Sequence, residues 1–364
     1  MRTLLHAGAV LLALAPLAAQ TTWIVDAVGG PGTLPTLAAA EAVAAPGDTI
    51  VVRPTAVYDF TLTTAKGLTL RGAGPGATQF RGRLTVAGMP ATQRFVMRDF
   101  TGQSTAPVGA LSVVQCAGHV VLDTLSLQGP PPGSGTALAG LAIQDAAQVS
   151  VHNVFCQSNG LLTVTCFAST AVFSDCLFLV PAGTNATALS CFGGTAQLVR
   201  CQLVGSPALE VSFGNGVPSV TLAGGALVGG GAVPYAARVL SGVLRADSAC
   251  TLGGPVQGTV VPYESGRPDL VLASPGLASV VGFAGPAGSF AAVALGLPGP
   301  RATTALGDVW LDPIAYVLMA VGAPPLQANW VTPVGVSGQP LVAQGVLLHL
   351  GALRISPPVC AIVP

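Results

Sequence analysis

The feature that most constrains the fold of this chain is a one-residue slip in an alternating pattern, repeated roughly every 25 residues. Segments such as 95–100 and 149–154 place apolar residues at every second position, shift by one, and alternate again. Alternation is typical of a strand with one buried face. A slip of one residue would turn the following strand inside out. The pattern therefore predicts a bend at each slip, with two successive side chains facing outward.

The slips recur regularly enough to define a structural repeat. The fifth residue of each segment serves as an anchor, and successive anchors are 27, 25, 29, 22, 25 and 24 positions apart. The anchors are Gly72, Asp99, Thr124, Asn153, Asp175, Arg200 and Gly224. Several of these are Gly, Asn or Asp, which tolerate the left-handed conformation of a sharp corner. A repeat of this length, made of strands joined by bends, indicates the stacked rungs of a solenoid.

The side chains two positions before the anchors are predicted to point into one shared interior column. They are Leu70, Met97, Leu122, Val151, Phe173, Leu198 and Leu222. Because a single rung cannot bury its own interior, the ends of such a coil require caps. Residues 34–45 favour a helix that ends before Pro46-Gly47 and would cap the first rung.

A candidate cap helix, the run from Pro46 to Val52 and the run from Gly67 to Gly72 together resemble the N-terminal entry of pectate-lyase-like right-handed β-helix proteins. The resemblance covers roughly residues 22–255. It implies an all-β fold class, a right-handed parallel β-helix. It does not imply one activity, because this superfamily contains lyases, hydrolases, epimerases and inert scaffolds.

The sequence divides into three parts. Residues 1–19, with Arg2, the apolar run from Leu4 to Leu17, and Ala18-Ala19, are expected to be a signal peptide, so the protein is expected to be secreted, periplasmic or on the cell surface. The β-helix is expected over residues 20–255. Over residues 266–364 the 25-residue period is lost and short apolar runs alternate with Gly/Pro turns, which predicts a small antiparallel, β-sandwich-like domain. Residues 307–313 and 342–345 resemble C-terminal domains of secreted bacterial proteins of unknown function.

Charge is sparse, and this limits the partners. Charged residues make up 8% of the chain, against roughly 25% in an ordinary soluble domain. With 14 Lys+Arg and 14 Asp+Glu, there is no basic face of the kind that binds nucleic acid. We expect no membrane span after signal cleavage, since the later apolar stretches are broken by Pro and Gly.

Eight cysteines lie beyond the signal peptide, and an even number in an exported protein permits disulfides. Two pairs are separated by 25 residues and so occupy the same position on neighbouring rungs, where the strand spacing of about 4.8 Å is compatible with a disulfide. The candidate disulfides are Cys166–Cys191, Cys176–Cys201 and Cys250–Cys360. The alternative is an inward ladder of free thiols that fills the coil.

Most polar groups of the repeat collect on the outside of the predicted bend, and we call this set the polar stripe. It comprises Arg98, Asp99, Asp123, His152, Asn153, Ser174, Asp175 and Arg200. Asp99 and Asp123 on adjacent rungs, followed by His152, are the candidate catalytic residues, because glycan cleavage uses paired carboxylates or a basic group. Arg98, Asn153, Asp175 and Arg200 are candidate binding residues. The alternative is a solvated bend whose polar side chains cap their own turns.

No cofactor or metal site is predicted, because the cysteines lack C-x-x-C spacing and no nucleotide-binding fingerprint occurs. One hypothesis is a non-catalytic secreted scaffold or surface-interaction protein, with polysaccharide or cell-surface glycan as the candidate partner. The alternative is a polysaccharide lyase or glycoside hydrolase acting at the polar stripe. A third is a module of a larger assembly that stacks at an uncapped coil end. The oligomeric state is left open.

Overall fold

A computed structural model of the chain describes residues 20–54, 56–104, 109–129, 139–158, 160–181, 183–231 and 234–364. The predicted signal peptide, residues 1–19, lies outside the described residues. The Pro130-Pro131-Pro132-Gly133 block also lies outside them.

The first part of the described chain is a parallel β-solenoid of about nine turns, and the predicted fold class is confirmed. Its strands, in chain order, are β1 (Thr22–Val25), β2 (Thr33–Leu34), β3 (Thr49–Val52), β4 (Val57–Thr64), β5 (Thr69–Arg71), β6 (Gln79–Ala87), β7 (Arg94–Gln103), β8 (Leu111–Val114), β9 (His119–Gln128), β10 (Leu141–Gln144), β11 (Gln148–Gln157), β12 (Leu162–Ser174), β13 (Leu177–Leu179), β14 (Thr187–Val199), β15 (Gln202–Gly205), β16 (Leu209–Ser212), β17 (Ser219–Ala223), β18 (Gly225–Gly229), β19 (Ala237–Val239), β20 (Val243–Ala246), β21 (Cys250–Gly253), β22 (Val256–Gln257) and β23 (Val260–Pro262).

The predicted slip is a left-handed corner in six of the seven rungs. Positive φ values between 49° and 72° occur at Asp99, Thr124, Asn153, Asp175, Arg200 and Gly224. Gly72 is the exception, since its φ lies outside the left-handed region. Glycine is needed there for space, because a Cβ at this position would lie 2.1 Å from the carbonyl oxygen of Asp99.

The residues before the corners form the predicted interior column. Met97, Leu122, Val151, Phe173 and Leu198 are each at most 1% exposed, and they occupy equivalent register positions on successive strands. They belong to one continuous hydrophobic core that runs the length of the coil. Burial of this column on every rung is what keeps the strand register fixed through each corner.

A short helix, α1 (Leu37–Val43), caps the first turn of the coil, as the sequence indicated. The Thr36 side chain accepts a hydrogen bond of 3.1 Å from the backbone N–H of Ala39 and so caps the helix N-terminus. Leu37 and Ala40 are buried against the core. The helix therefore covers apolar side chains that an open coil end would expose.

The last part of the chain forms two antiparallel sheets. The three-stranded sheet contains β24 (Arg267–Val271), β25 (Ala278–Ala284) and β28 (Leu326–Val331). The five-stranded sheet contains β26 (Phe290–Thr304), β27 (Gly307–Gly322), β29 (Pro340–His349), β30 (Ala352–Ile355) and β31 (Val359–Ile362). The coil's last strand ends at Pro262 and the first antiparallel strand begins at Arg267.

The C-terminal domain packs on the outside of the coil, over the strand segments that precede the left-handed corners. Val96, Val121 and Val172 on the coil pack against Trp310 and Val342 of the C-terminal domain, in a cluster that also includes Cys360 and Ile362. Strand β31 lies over β9, β11 and β12. This apolar contact places the C-terminal domain directly beside the polar stripe.

All eight cysteines are free in the structure, so the three predicted disulfides are not formed. Cys166 and Cys191 are direct register partners inside the coil, and Cys176 and Cys201 are both buried there. Burial raises the pKa of the Cys166 thiol to about 12. Cys250 packs against the coil core, whereas Cys360 lies in the interface cluster. The alternative of a buried thiol ladder describes the coil better.

No helix among the described residues is long and apolar enough to cross a membrane.

Candidate functional site

Asp123, the central residue of the polar stripe, is buried at the domain interface. It is 3% exposed. Its Oδ1 accepts hydrogen bonds from His152 Nδ1 at 2.8 Å and from the Thr124 hydroxyl at 3.0 Å. Its Oδ2 accepts a bond of 3.1 Å from the backbone N–H of Ile362. With its partners on the coil and on the C-terminal domain, this carboxylate links the two domains.

The neighbouring rung repeats this arrangement with opposite charge. Arg98 is 7% exposed, and its Nη1 donates to the carbonyl oxygen of Val363 at 2.9 Å. Its Nε donates to Asp99 Oδ2 at 2.7 Å. The two candidate catalytic carboxylates thus have different partners, since Asp99 is paired with Arg98 and Asp123 with His152.

His152 lies between two carboxylates. Its Nδ1 donates to Asp123, because an ionised carboxylate only accepts, and its Nε2 is 3.7 Å from Asp175 Oδ2. Asp175 is in turn held by Arg200, whose Nε and Nη2 donate to it at 2.7 and 2.6 Å. This is the bidentate geometry in which guanidinium and carboxylate groups match best.

Arg200 extends the stripe onto the C-terminal domain. Its Nη1 donates to the carbonyl oxygen of Pro268, and its Nη2 is 3.3 Å from Asp269 Oδ1. Asn153, by contrast, is exposed and donates only a long bond of 3.4 Å to Thr124 Oγ1. Three of the seven predicted site residues, namely Arg98, Asp123 and Arg200, therefore contact the C-terminal domain directly.

A second polar column lies at the start of the same strands, and the sequence analysis missed it. Arg94, His119, Gln148 and Thr170 are register neighbours on successive rungs; we call them the entry column. Each stands five residues before its anchor and faces outward. The same position holds a polar residue in six of the seven repeats, with Gly67 as the exception, and this regularity is the sequence signal that could have identified the column.

The entry column faces the β26–β27 hairpin of the C-terminal domain. Arg94 Nη2 donates to the carbonyl oxygen of Pro298 at 3.2 Å, and Gln148 Nε2 donates to that of Gly299 at 3.1 Å. Gln148 Oε1 accepts from the backbone N–H of Arg301 at 3.3 Å. The Arg301 guanidinium also donates to the hydroxyl of Thr170. These contacts fix the hairpin over the coil.

His119 is the buried member of the entry column. Its Nε2 is 2.8 Å from Ser150 Oγ, and its ring meets the Trp310 ring edge-on at a centroid distance of 5.9 Å. Burial, together with the nearby positive charge of Arg94, lowers the pKa of His119 to about 3. The imidazole is therefore neutral at any ordinary pH and does not act as a base that takes up a proton near pH 7.

A groove with a volume of about 800 Å³ lies between the entry column and the hairpin. Its coil side is formed by a second left-handed corner, at which Gln115, Asp145 and Ala168 have φ values of 50°, 49° and 46°. Arg94 and His119 line it from the entry column. The volume lies in the range of small-molecule sites. Its wall of amide, guanidinium and carboxylate groups suits a polar ligand.

A scan against protein-family models and a search of curated proteins find no match for this chain. The structure is a parallel β-helix, but no family match confirms that the chain belongs to the pectate-lyase-like superfamily. Within the described residues no group of three or more His, Cys, Asp or Glu side chains is placed to hold a metal ion. The functional argument therefore rests on the polar stripe and the groove.

Proposed function

We propose that this protein is a secreted, non-catalytic β-helix scaffold that binds a glycan in the groove between the coil and the C-terminal domain. One observation carries the proposal. Asp123, the best candidate for catalysis, is 3% exposed and is hydrogen-bonded to the backbone of Ile362. A carboxylate used in this way holds two domains together and is not open to a substrate.

Export is supported by sequence alone. Arg2, the apolar run from Leu4 to Leu17 and the small residues Ala18 and Ala19 have the order of a cleavable signal. Low charge and a long stacked sheet suit a rigid extracellular scaffold. N-terminal sequencing of the exported protein tests this part, with cleavage after Ala19 as the expected result.

Glycan binding is supported by the chemistry of the groove. Sugars present many hydroxyl groups, which both donate and accept, and the groove offers the exposed side-chain amide of Gln115 together with charged groups at Arg94, Asp145 and Arg301. Its left-handed corners are hydrogen-bonded to neighbouring rungs, as in the bonds from Gln115 N–H to Gln144 O and from Asp145 N–H to Phe167 O, so we expect the site to be formed before a ligand arrives.

The experiment is a binding screen of the purified, signal-cleaved chain against neutral and charged glycans, with a variant that fills the groove. Ala147 is exposed and lines the groove, so Ala147→Trp is expected to abolish binding. Ala249 is also exposed but lies outside the groove, and Ala249→Trp is the matched control. Equal binding by both variants would place the glycan elsewhere.

The alternative function is a polysaccharide lyase or glycoside hydrolase at the polar stripe. It is favoured by the 2.8 Å bond between His152 and Asp123, an arrangement that can orient a general base. Incubation with polyuronates and neutral glycans separates the two functions. Turnover that disappears in Asp123→Asn, while the fold is retained, would establish the enzyme and overturn the scaffold.

A further inference from the structure

Arg94 is a partly buried guanidinium that lacks an anionic partner. Among the described residues, its guanidinium makes one hydrogen bond, from Nη2 to the carbonyl oxygen of Pro298. Its Nε is buried and unpaired among the described residues, and no carboxylate of the described chain forms an ion pair with it. A guanidinium offers five donors, so most of the hydrogen-bonding capacity of Arg94 is unused.

The contrast with the other interface arginines shows that this is a property of the site. Arg98 pairs with Asp99 at 2.7 Å, and Arg200 pairs with Asp175 at 2.6 Å. Arg83 also lacks a carboxylate, but it does not line the groove. Arg94 differs from these arginines, because it lines the groove and no described carboxylate pairs with it, whereas Arg301, the other lining arginine, lies 3.8 Å from Asp308.

The groove lining beside Arg94 contains a further unpaired polar atom. His119 lines the groove, and its Nδ1 is buried and has no partner in the described part of the chain. Its ring packs edge-on against that of Trp310, which lies behind it and does not line the groove. Buried polar atoms are nearly always hydrogen-bonded in native proteins. A polar ligand or bound water that reaches His119 Nδ1 and Arg94 Nε would supply the partners that these two atoms lack.

The groove lining carries two positive groups and one negative group. Three lining residues carry charge, namely Arg94, Arg301 and Asp145, while His119 is neutral because burial lowers its pKa to about 3. Asp145 is exposed and accepts from Gln144 Nε2 at 3.2 Å. Arg301 is 3.8 Å from Asp308 and remains 29% exposed. Of the two lining guanidinium groups, Arg94 alone has no carboxylate partner among the described residues, because Arg301 is paired with Asp308.

We infer that the groove binds a saccharide through an oxyanion, which Arg94 and Arg301 hold by charge-assisted hydrogen bonds. The inference rests on the proposed function, since it names the ligand chemistry of the same groove. A carboxylate, sulfate or phosphate group presents oxygens in positions that guanidinium groups match. An anion at Arg94 would supply the missing acceptors and offset the burial of its charge.

The test is calorimetric titration of the full signal-cleaved chain with matched sugars: glucose, glucuronate, glucose 6-sulfate and glucose 6-phosphate. We expect at least one charged sugar to bind about tenfold or more tightly than glucose. Its affinity is expected to fall as salt is added, because the attraction is screened. Arg94→Met, which keeps the length of the side chain, is expected to abolish the preference.

Two further variants control for structural effects. Arg81 is an exposed arginine paired with Asp59 outside the groove, so Arg81→Met is expected to bind all sugars like the wild type. Arg301→Met removes the second guanidinium and is expected to weaken the same ligand. If Arg94→Met fails to fold, loss of the preference in Arg301→Met still supports the inference, and its persistence there contradicts it.

The outcomes separate the inference from the proposed function. Equal binding of glucose and the charged sugars, lost in Ala147→Trp, retains the glycan site and overturns the oxyanion. No binding of any sugar overturns both. If free acetate, sulfate or phosphate binds more tightly than the corresponding sugar, the groove is an anion site, and the inference that its ligand is a saccharide is contradicted. The relative affinities of the three charged sugars identify which oxyanion the groove selects.

Discussion

Asp123 Oδ2 accepts a hydrogen bond of 3.1 Å from the backbone N–H of Ile362, 239 positions later in the chain. The same carboxylate accepts from His152 through its other oxygen. One side chain therefore connects a corner of the coil to the last strand of the C-terminal domain. The polar stripe acts mainly as an interface, and this relationship leads to the first prediction.

Replacing Asp123 with alanine is expected to destabilise the protein by about 2–4 kcal/mol, because the buried N–H of Ile362 and the half-buried imidazole of His152 both lose their acceptor. The measurement is urea unfolding. Asp59→Ala is the control, since Asp59 forms an exposed pair with Arg81 and contributes little. An Asp123→Ala protein as stable as the control would contradict the interface role. Proteolysis between Pro262 and Arg267 should also accelerate in the Asp123 variant alone.

Truncation of the interior column is expected to be severe. Phe173 is 0% exposed and its ring contacts that of Phe178 at a centroid distance of 5.4 Å. Phe173→Ala should cost about 3–5 kcal/mol through the cavity that it leaves. Phe213, 75% exposed, is the matched control, and Phe213→Ala should change the free energy of unfolding by about 0.5 kcal/mol at most. Similar losses for both would show that Phe173 does not point into the core.

Glycine substitution is expected to have opposite effects at two alanines. Ala168 has a φ of 46°, where a Cβ costs about 1–2 kcal/mol, so Ala168→Gly should be neutral or stabilising despite its entropic cost. Ala142 lies in strand β10, and Ala142→Gly should be destabilising by about 0.5–1 kcal/mol. Thermal unfolding measures both. Equal destabilisation would mean that the corner at Ala168 is not left-handed.

The stability of the protein is expected to fall as the pH drops from about 6.5 towards 3 because of His119. Burial lowers the pKa of this imidazole to about 3, whereas it is about 6.5 in an unfolded chain. In that interval the unfolded state binds a proton that the folded state does not, so acid favours unfolding. Urea midpoints across this range should show a shallower slope for His119→Gln. An NMR titration of His119 near pH 6.5 in the folded protein would contradict the prediction.

Thiol reactivity distinguishes a buried ladder of free cysteines from the disulfides that the sequence also permitted. Burial raises the pKa of Cys166 and Cys360 to about 12, so these thiols should resist a thiol reagent in the folded state. In denaturant without reductant, eight thiols are expected. Disulfides at Cys166–Cys191 and Cys176–Cys201 would leave four, since each consumes two. Intact mass after alkylation gives the count.

Much of the fold could be predicted because the repeat is local and periodic. The anchors from Asp99 to Gly224 are left-handed corners, and the residues two positions earlier are buried, as the alternation required. Gly72 occupies the predicted corner position, but the reason for glycine there differs from the prediction. A Cβ would clash with the carbonyl oxygen of Asp99, whereas the backbone φ is not left-handed. The disulfides could not be decided from spacing, because register fixes which cysteines are neighbours and not whether their sulfurs are bonded.

The sequence by itself determined the coil: which side chains face inward, where the chain bends, and that polar groups gather outside one corner. These follow from hydrophobic burial with a period of two, which every rung repeats. The tertiary structure alone decided what covers those polar groups. The C-terminal domain folds back over Val96 and Val121, buries Asp123 and leaves Arg94 facing a groove. Contacts between residues more than 200 positions apart carry no periodic signal, so only the folded chain reveals them.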